Sequence, residues 1–245
     1  MRVSRVARSW TFMGTAVLVA AACLSGPPAG ASPAAAAPPK AVTKAVLKKS
    51  DLPAGWKGKK ASSSDSGSDA TDKQLATCFG FPAKITKSKS PTADAPDFTL
   101  AGTGVTEQSI SSSIAVSTKT GQDAKIFAAL QGPKGADCLN QAFSASIQKS
   151  IASGSPGVTV TNVSTTGIDV GTVLDRRVGF HFTATVSATD ASGPVSIPVN
   201  VNIVFAQRGK YVAEFAFSAL GSEFDPAIQT QAINAVANRI KKLPA

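Results

Sequence analysis

Three runs of alternating residues in the last third of the 245-residue chain limit its fold more than any other feature. Val178, Phe180, Phe182, Ala184 and Val186 alternate with Gly179, His181, Thr183 and Thr185. After Ser192-Gly193-Pro194 the alternation resumes with Val195, Ile197, Val199, Val201, Ile203 and Phe205. After Arg208-Gly209-Lys210 it returns in Tyr211, Ala213, Phe215 and Phe217. A period of two broken by tight glycine turns predicts long strands in an antiparallel meander, one face buried and one polar. Pro198 falls on the polar face, which predicts an edge position or a bulge. Val158 to Thr165 reads as another strand. Phe98 to Thr118 reads as two, with Ile110, Ser112, Ile114 and Val116 on one face.

Helical periodicity surrounds these strands. Asp225-Pro226 is an N-cap followed by proline at the first helical position, opening a helix to about Lys241 that buries Ile228, Ala232, Val236 and Ile240. Gln122 to Leu130 directs Ala124, Phe127 and Ala128 inward. Ala136 to Ala152 carries Leu139, Ala142, Phe143 and Ile147 on one stripe. A short helix is expected at Val42 to Lys49 and another, capped by Asp72, around Leu75 and Cys78. The polar stretches Lys57 to Asp72 and Thr86 to Asp97 read as loops. An apolar sheet face needs a covering layer. The expected fold is therefore α+β: a single antiparallel β-sheet with a C-terminal three-strand meander, helices packed on one face and a C-terminal helix.

The amino terminus predicts export. Arg2, Arg5 and Arg8 precede an uncharged apolar stretch from Trp10 to Leu24, too short to span a bilayer as a helix. Ser25-Gly26-Pro27-Pro28 breaks that stretch, and Ala29-Gly30-Ala31 has the small-x-small pattern of a cleavage site. The expected organisation is a signal peptide over 1–31, an Ala/Pro-rich linker over 32–42, and one α+β domain over 43–245. Ala20-Ala21-Ala22-Cys23 offers a second outcome, because it resembles a bacterial lipobox. Lipidation would keep Cys23 as a membrane-anchored N-terminus, whereas cleavage after Ala31 would discard it. Ala20 and Leu24 are unusual residues around a lipidated cysteine and favour the latter. The expected location is thus secreted, or on the extracytoplasmic face of the membrane.

Loss of the three signal arginines lowers the net charge from +10 to +7. That balance suggests an anionic lipid or wall polymer as partner. Nucleic acid is not expected, since no basic-aromatic module accompanies the charge. No other apolar run reaches transmembrane length, so none is expected in the mature chain. The two remaining cysteines, Cys78 and Cys138, are expected to pair in an oxidising compartment. The loop they close predicts roughly 4 kcal/mol of stabilisation from chain entropy.

The residues offer little chemistry. His181 is the single histidine, and its inward neighbours place it on the outer face of its strand, with no nucleophile or carboxylate arranged beside it. Ser146-Ile147-Gln148-Lys149 and Lys119-Thr120-Gly121 match two motifs of penicillin-recognising enzymes. They stand in reversed order, with no S-D-N between them and Ser146 inside a helix, and read as chance. Nucleophile-elbow, Walker and zinc-protease motifs are absent. Glu214 is expected to face outward from mid-strand. Two cysteines and one distant histidine do not make a metal site. No catalytic residue, metal or cofactor is expected.

Asp51-Leu52-Pro53-Ala54-Gly55-Trp56 resembles the opening of exported actinobacterial sensor-domain, or PknH-like extracellular, proteins. The resemblance continues through Ala76-Thr77-Cys78, Ser112 to Val116 with Asp123-Ala124-Lys125-Ile126-Phe127, and Asp137-Cys138-Leu139, to Arg208-Gly209-Lys210 and Ala235 to Ile240. LpqN-like lipoproteins are similar as well. The resemblance implies an α+β domain with a central antiparallel sheet and a cleft for an extracellular ligand. PknH-type sensors carry two disulfides, whereas this mature chain can form one. The expected function is a non-catalytic exported binding or sensor-like domain with an undefined ligand. The alternatives are an envelope protein held to anionic polymers or membrane by its charge, or a lipoprotein anchored through Cys23. A cleft lined by Phe180, Phe182, Phe215 and Phe217 would suit an apolar or amphipathic ligand, and plain core is the rival assignment for those four.

Overall fold

The computed structural model describes residues 37–61, 69–82, 90–102, 106–154, 158–190 and 193–244. Its helices are α1 (Lys40–Ala45), α2 (Asp69–Cys78), α3 (Thr120–Gln131), α4 (Gly135–Gly154) and α5 (Pro226–Ile240), with a 3-10 turn at Lys49–Asp51. The strands are β1 (Lys57–Lys59), β2 (Thr92–Asp94), β3 (Asp97–Ala101), β4 (Glu107–Val116), β5 (Thr159–Ile168), β6 (Arg176–Asp190), β7 (Gly193–Arg208) and β8 (Tyr211–Leu220). All eight join one antiparallel sheet in the order β1-β3-β4-β8-β7-β6-β5, with β2 paired to β4 beside β3. The α+β class, the single antiparallel sheet, the C-terminal meander and the C-terminal helix stand as the alternation and the capping residues indicate.

The helices differ from expectation in where they pack: they divide between both faces of the sheet. Val204, Ala206, Phe215 and Phe217 share one buried cluster with Ala232, Ile233, Val236 and Ile240 of α5 and with Val42, Leu47 and Trp56 of the N-terminal segment. Val201, Ile203, Phe205 and Ala216, of opposite parity, belong to a second cluster with Leu75 of α2, Phe127 of α3, and Leu139 and Phe143 of α4. The central strands β7 and β8 thus bury both faces, which is why their sequences carry apolar residues at both parities, as in Ile203-Val204-Phe205-Ala206. Phe180 and Phe182 lie in one cluster and Phe215 and Phe217 in the other, so the four line no common cleft.

Local chemistry explains the element ends. Asp225 caps α5 by accepting from the backbone N–H of Ala227 at 2.8 Å and of Ile228 at 3.4 Å. Gly209 adopts φ +54° in the β7–β8 turn, the left-handed conformation that glycine enters without a Cβ penalty. Pro198 pairs with Thr185 of β6 but lies one residue beyond the last β7–β8 partners, Val199 and Leu220. Its carbonyl accepts from the Gly221 N–H, and its lack of a donor falls where β8 has ended. A register shift between Thr161 and Ser164 bulges β5, with Asn162 at φ +54°. β1 and β2 form inside stretches expected to be loops, and α1 begins within the expected linker. In α3 the buried side chains are Phe127 and Leu130, whereas Ala128 is exposed.

Candidate functional site

A pocket of about 100 Å³ opens between the α2–α3 layer and the sheet. Helix α2 contributes Leu75 and Ala76, followed by Phe79 and Phe81 just past its end, and α3 contributes Ile126, Phe127 and Leu130. The floor is formed by Ser113 and Ala115 of β4, Phe205 of β7, and Val212 and Glu214 of β8. These floor residues are neighbours in register: Glu214 is opposite Ser113 on one side and Phe205 on the other, and Val212 is opposite Ala115. The odd residues of β4 and β7 and the even residues of β8 therefore form the layer on which α2 and α3 sit.

Carboxyl groups supply the polarity. Glu214, expected to point outward, lies 8 % exposed on this floor, because helices cover what a one-layered protein would give to solvent. Asp123 enters from the first turn of α3. Gln207, 1 % exposed, donates through Nε2 to Asp123 Oδ2 at 3.5 Å and to the Gly209 carbonyl at 2.9 Å, and its Oε1 accepts from Arg176 Nη1 at 3.1 Å. Burial pushes the Asp123 carboxyl above its ordinary value, against the hydrogen bond from Ser117 and the charge of Arg176. An apolar pocket with a few converging polar groups is the form that small-molecule sites take.

The disulfide shapes one wall. Cys78 and Cys138 are bonded, with Cα atoms 5.6 Å apart, so the last turn of α2 is tied to the first turn of α4. Leu75, Ala76 and Phe79 sit beside that link, and the bond holds α2 in place as a wall of the pocket. A second cavity, an open groove of about 740 Å³, runs between the α3–α4 turn and the β5–β6 connection. It mixes Asp169 and Asp175 with Arg176 and Arg177. Arg177 is already engaged, donating to Thr172 Oγ1 at 3.3 Å while its carbonyl accepts from Gln131.

His181 is not simply solvent-facing. Its Nδ1 lies 2.6 Å from Asn202 Oδ1, and Asn202 Nδ2 donates to Gln229 Oε1 of α5 at 2.7 Å, in a lateral polar chain under the edge of that helix. Lys119-Thr120-Gly121 opens α3 instead of lying on a strand. Ser146 and Lys149 fall within α4, and their side chains, like residues 1–31 with Cys23, are outside the described residues. Among the described residues no cluster of three or more His, Cys, Asp or Glu side chains is placed to hold a metal ion, and no helix is long and apolar enough to cross a membrane. Sequence reasoning missed the pocket and the role of Gln207. The one available signal was the polar Gln207 and Glu214 inside apolar strands.

No family model and no curated protein matches the chain. Among solved structures, it is similar to the crystal structure of LpqN involved in cell envelope biogenesis of Mycobacterium tuberculosis, at 12% sequence identity over 80% of this chain and 79% of that one. LpqN belongs to one of the two groups that the sequence resembles. The TM-score of that superposition is 0.29.

Proposed function

We propose that this chain is an exported, non-catalytic binding domain that takes a small apolar or amphipathic ligand between α2–α3 and the sheet. The pocket carries the reading: its walls are apolar, its polar groups are few, and its volume is about 100 Å³, room for a ring or a short acyl chain. The three-zone amino terminus supports export, as does a disulfide of the kind that persists in oxidising compartments. On this reading the protein works outside the cytoplasm, in or on the cell envelope. A second reading, attraction to anionic envelope polymer or lipid, draws on the exposed lysines of β1, and added salt would weaken it.

The test is methyl NMR of the oxidised full chain titrated with hexanol, a neutral amphiphile. Shifts confined to the methyls of Leu75, Ile126, Leu130 and Val212 are expected. Unmoved methyls at saturating hexanol would mean a packed core and would end the pocket reading.

A further inference from the structure

We propose, building on that pocket reading, that the ligand carries a cationic head, a protonated amine or its equivalent, which Asp123 and Glu214 receive while its apolar body lies against α2 and α3. Among the described residues, the pocket lining includes two carboxyl residues and no lysine, arginine or histidine. Arg176, the cation whose charge reaches Asp123, donates instead to Gln207 Oε1 and lines the separate groove beyond it. An anionic head entering the pocket would meet the Asp123 and Glu214 carboxylates, with no cation among the described lining residues, which opposes fatty-acid carboxylates and phosphates. An amine would gain charge-assisted hydrogen bonds in surroundings of low dielectric constant, where they are strong.

The pocket geometry fits this assignment. Gln207 holds the Asp123 carboxylate from below, and Glu214 is fixed in the centre of the sheet between β4 and β7. The head-group end is therefore built on rigid strands. Phe79 and Phe81, with ring centroids 5.9 Å apart, and Phe127 add aromatic surface on which a cation is also favoured. The raised pKa of Asp123 agrees, since burial disfavours its charged form and a bound cation would favour it. The preference of the pocket is thus opposite to that of the protein's basic exterior.

The experiment compares hexylamine, hexanol and hexanoate on the oxidised full chain near neutral pH, read by the same pocket methyls. Hexylamine is expected to bind about tenfold more tightly than hexanol, and hexanoate more weakly than either. Glu214→Gln should remove the advantage of hexylamine while leaving hexanol binding in place, and Asp123→Asn serves the same purpose if the buried Glu214 site does not tolerate change. Hexanol binding as tightly as hexylamine, or hexanoate as tightly as hexanol, would overturn the cationic head while the pocket reading stood. Failure of all three to move the pocket methyls would overturn both.

Discussion

Arg239, near the end of α5, closes two hydrogen bonds on the carboxylate of Asp51: Nη2 to Oδ2 at 2.6 Å and Nη1 to Oδ1 at 3.0 Å. The same guanidinium donates through Nε to the Ala45 carbonyl and through Nη2 to that of Val46, each at 3.0 Å. Gln231 of α5 adds a bond to the Asp51 carbonyl at 2.9 Å. Three residues beyond Leu52, Gly55 turns at φ +98° and Trp56 is buried against Phe224, with centroids 6.1 Å apart. The block Asp51 to Trp56, which opens the resemblance to exported sensor-domain proteins, thus fastens the N-terminal segment to the C-terminal helix.

Replacing Arg239 with alanine should destabilise the protein by about 2 kcal/mol, since a largely buried carboxylate and two carbonyls lose their donor together. Urea unfolding monitored by Trp56 fluorescence measures it. The variant should also respond differently to acid. Burial raises the Asp51 carboxyl, but the Arg239 hydrogen bond, the Lys48 N–H and the nearby positive charges outweigh burial and hold it below 3.8. Below that value the unfolded chain binds more protons at this site, so the contribution is present above pH 3.8 and lost as pH falls through the folded-state value. Arg239→Ala should flatten that acid-side loss.

Removing the disulfide by the paired change Cys78→Ala and Cys138→Ala should cost roughly 4 kcal/mol by loop entropy. Denaturant midpoints with and without the bond check this. The same variant should weaken hexanol binding, because α2 forms one wall of the pocket. Unchanged binding would show that α2 is held by packing alone.

Asp123→Asn should raise stability at neutral pH. Burial lifts this carboxyl above 3.8 despite Ser117 and Arg176, so the folded chain holds the proton more tightly than the unfolded chain does. Stability then falls as pH rises from 3.8 through the folded-state value. The asparagine variant should lack that fall in unfolding free energy measured across the same range. Asp94 is raised in the same sense, by burial and by the charge of Asp97, and its fall should persist in the variant.

The mass of the protein recovered from its host should correspond to a chain starting at Ser32, about 2 Da lighter before reduction than after, the loss of two thiol hydrogens. A chain starting at Cys23 with added acyl mass would place the ligand search in the membrane.

The meander, the capping of α5 and the pairing of Cys78 with Cys138 were legible because each depends on local pattern or elimination. Period-two alternation, an Asp-Pro start and a pair of cysteines need no knowledge of distant contacts. The two-layer cover was harder to read. Ala213 and Ala216 bury opposite faces of β8 with equally small side chains, so periodicity alone does not reveal the second layer. The pocket was less legible still. Asp123, Gln207 and Glu214 belong to three elements, and only the register of β4, β8 and β7 brings their neighbours together. Glu214 between Ala213 and Phe215 reads as a solvent-facing charge unless the covering helices are known.

The pairing of β4 with β8 sets the order in which the molecule can be completed. Val116 meets Tyr211 and Glu107 meets Leu220, so the first half of the sheet has no neighbour until the last strand has been made. During vectorial synthesis β1 to β4 must wait, their hydrogen-bonding edges open, for a closure spanning about a hundred residues, the kind of long-range event that slows folding. A chain cut short at the β7–β8 turn loses the seam that unites its halves, together with α5 and its hold on the N-terminal segment. Such a fragment would retain a hairpin-rich end and an unclosed front, a natural substrate for proteases that clear unfinished chains.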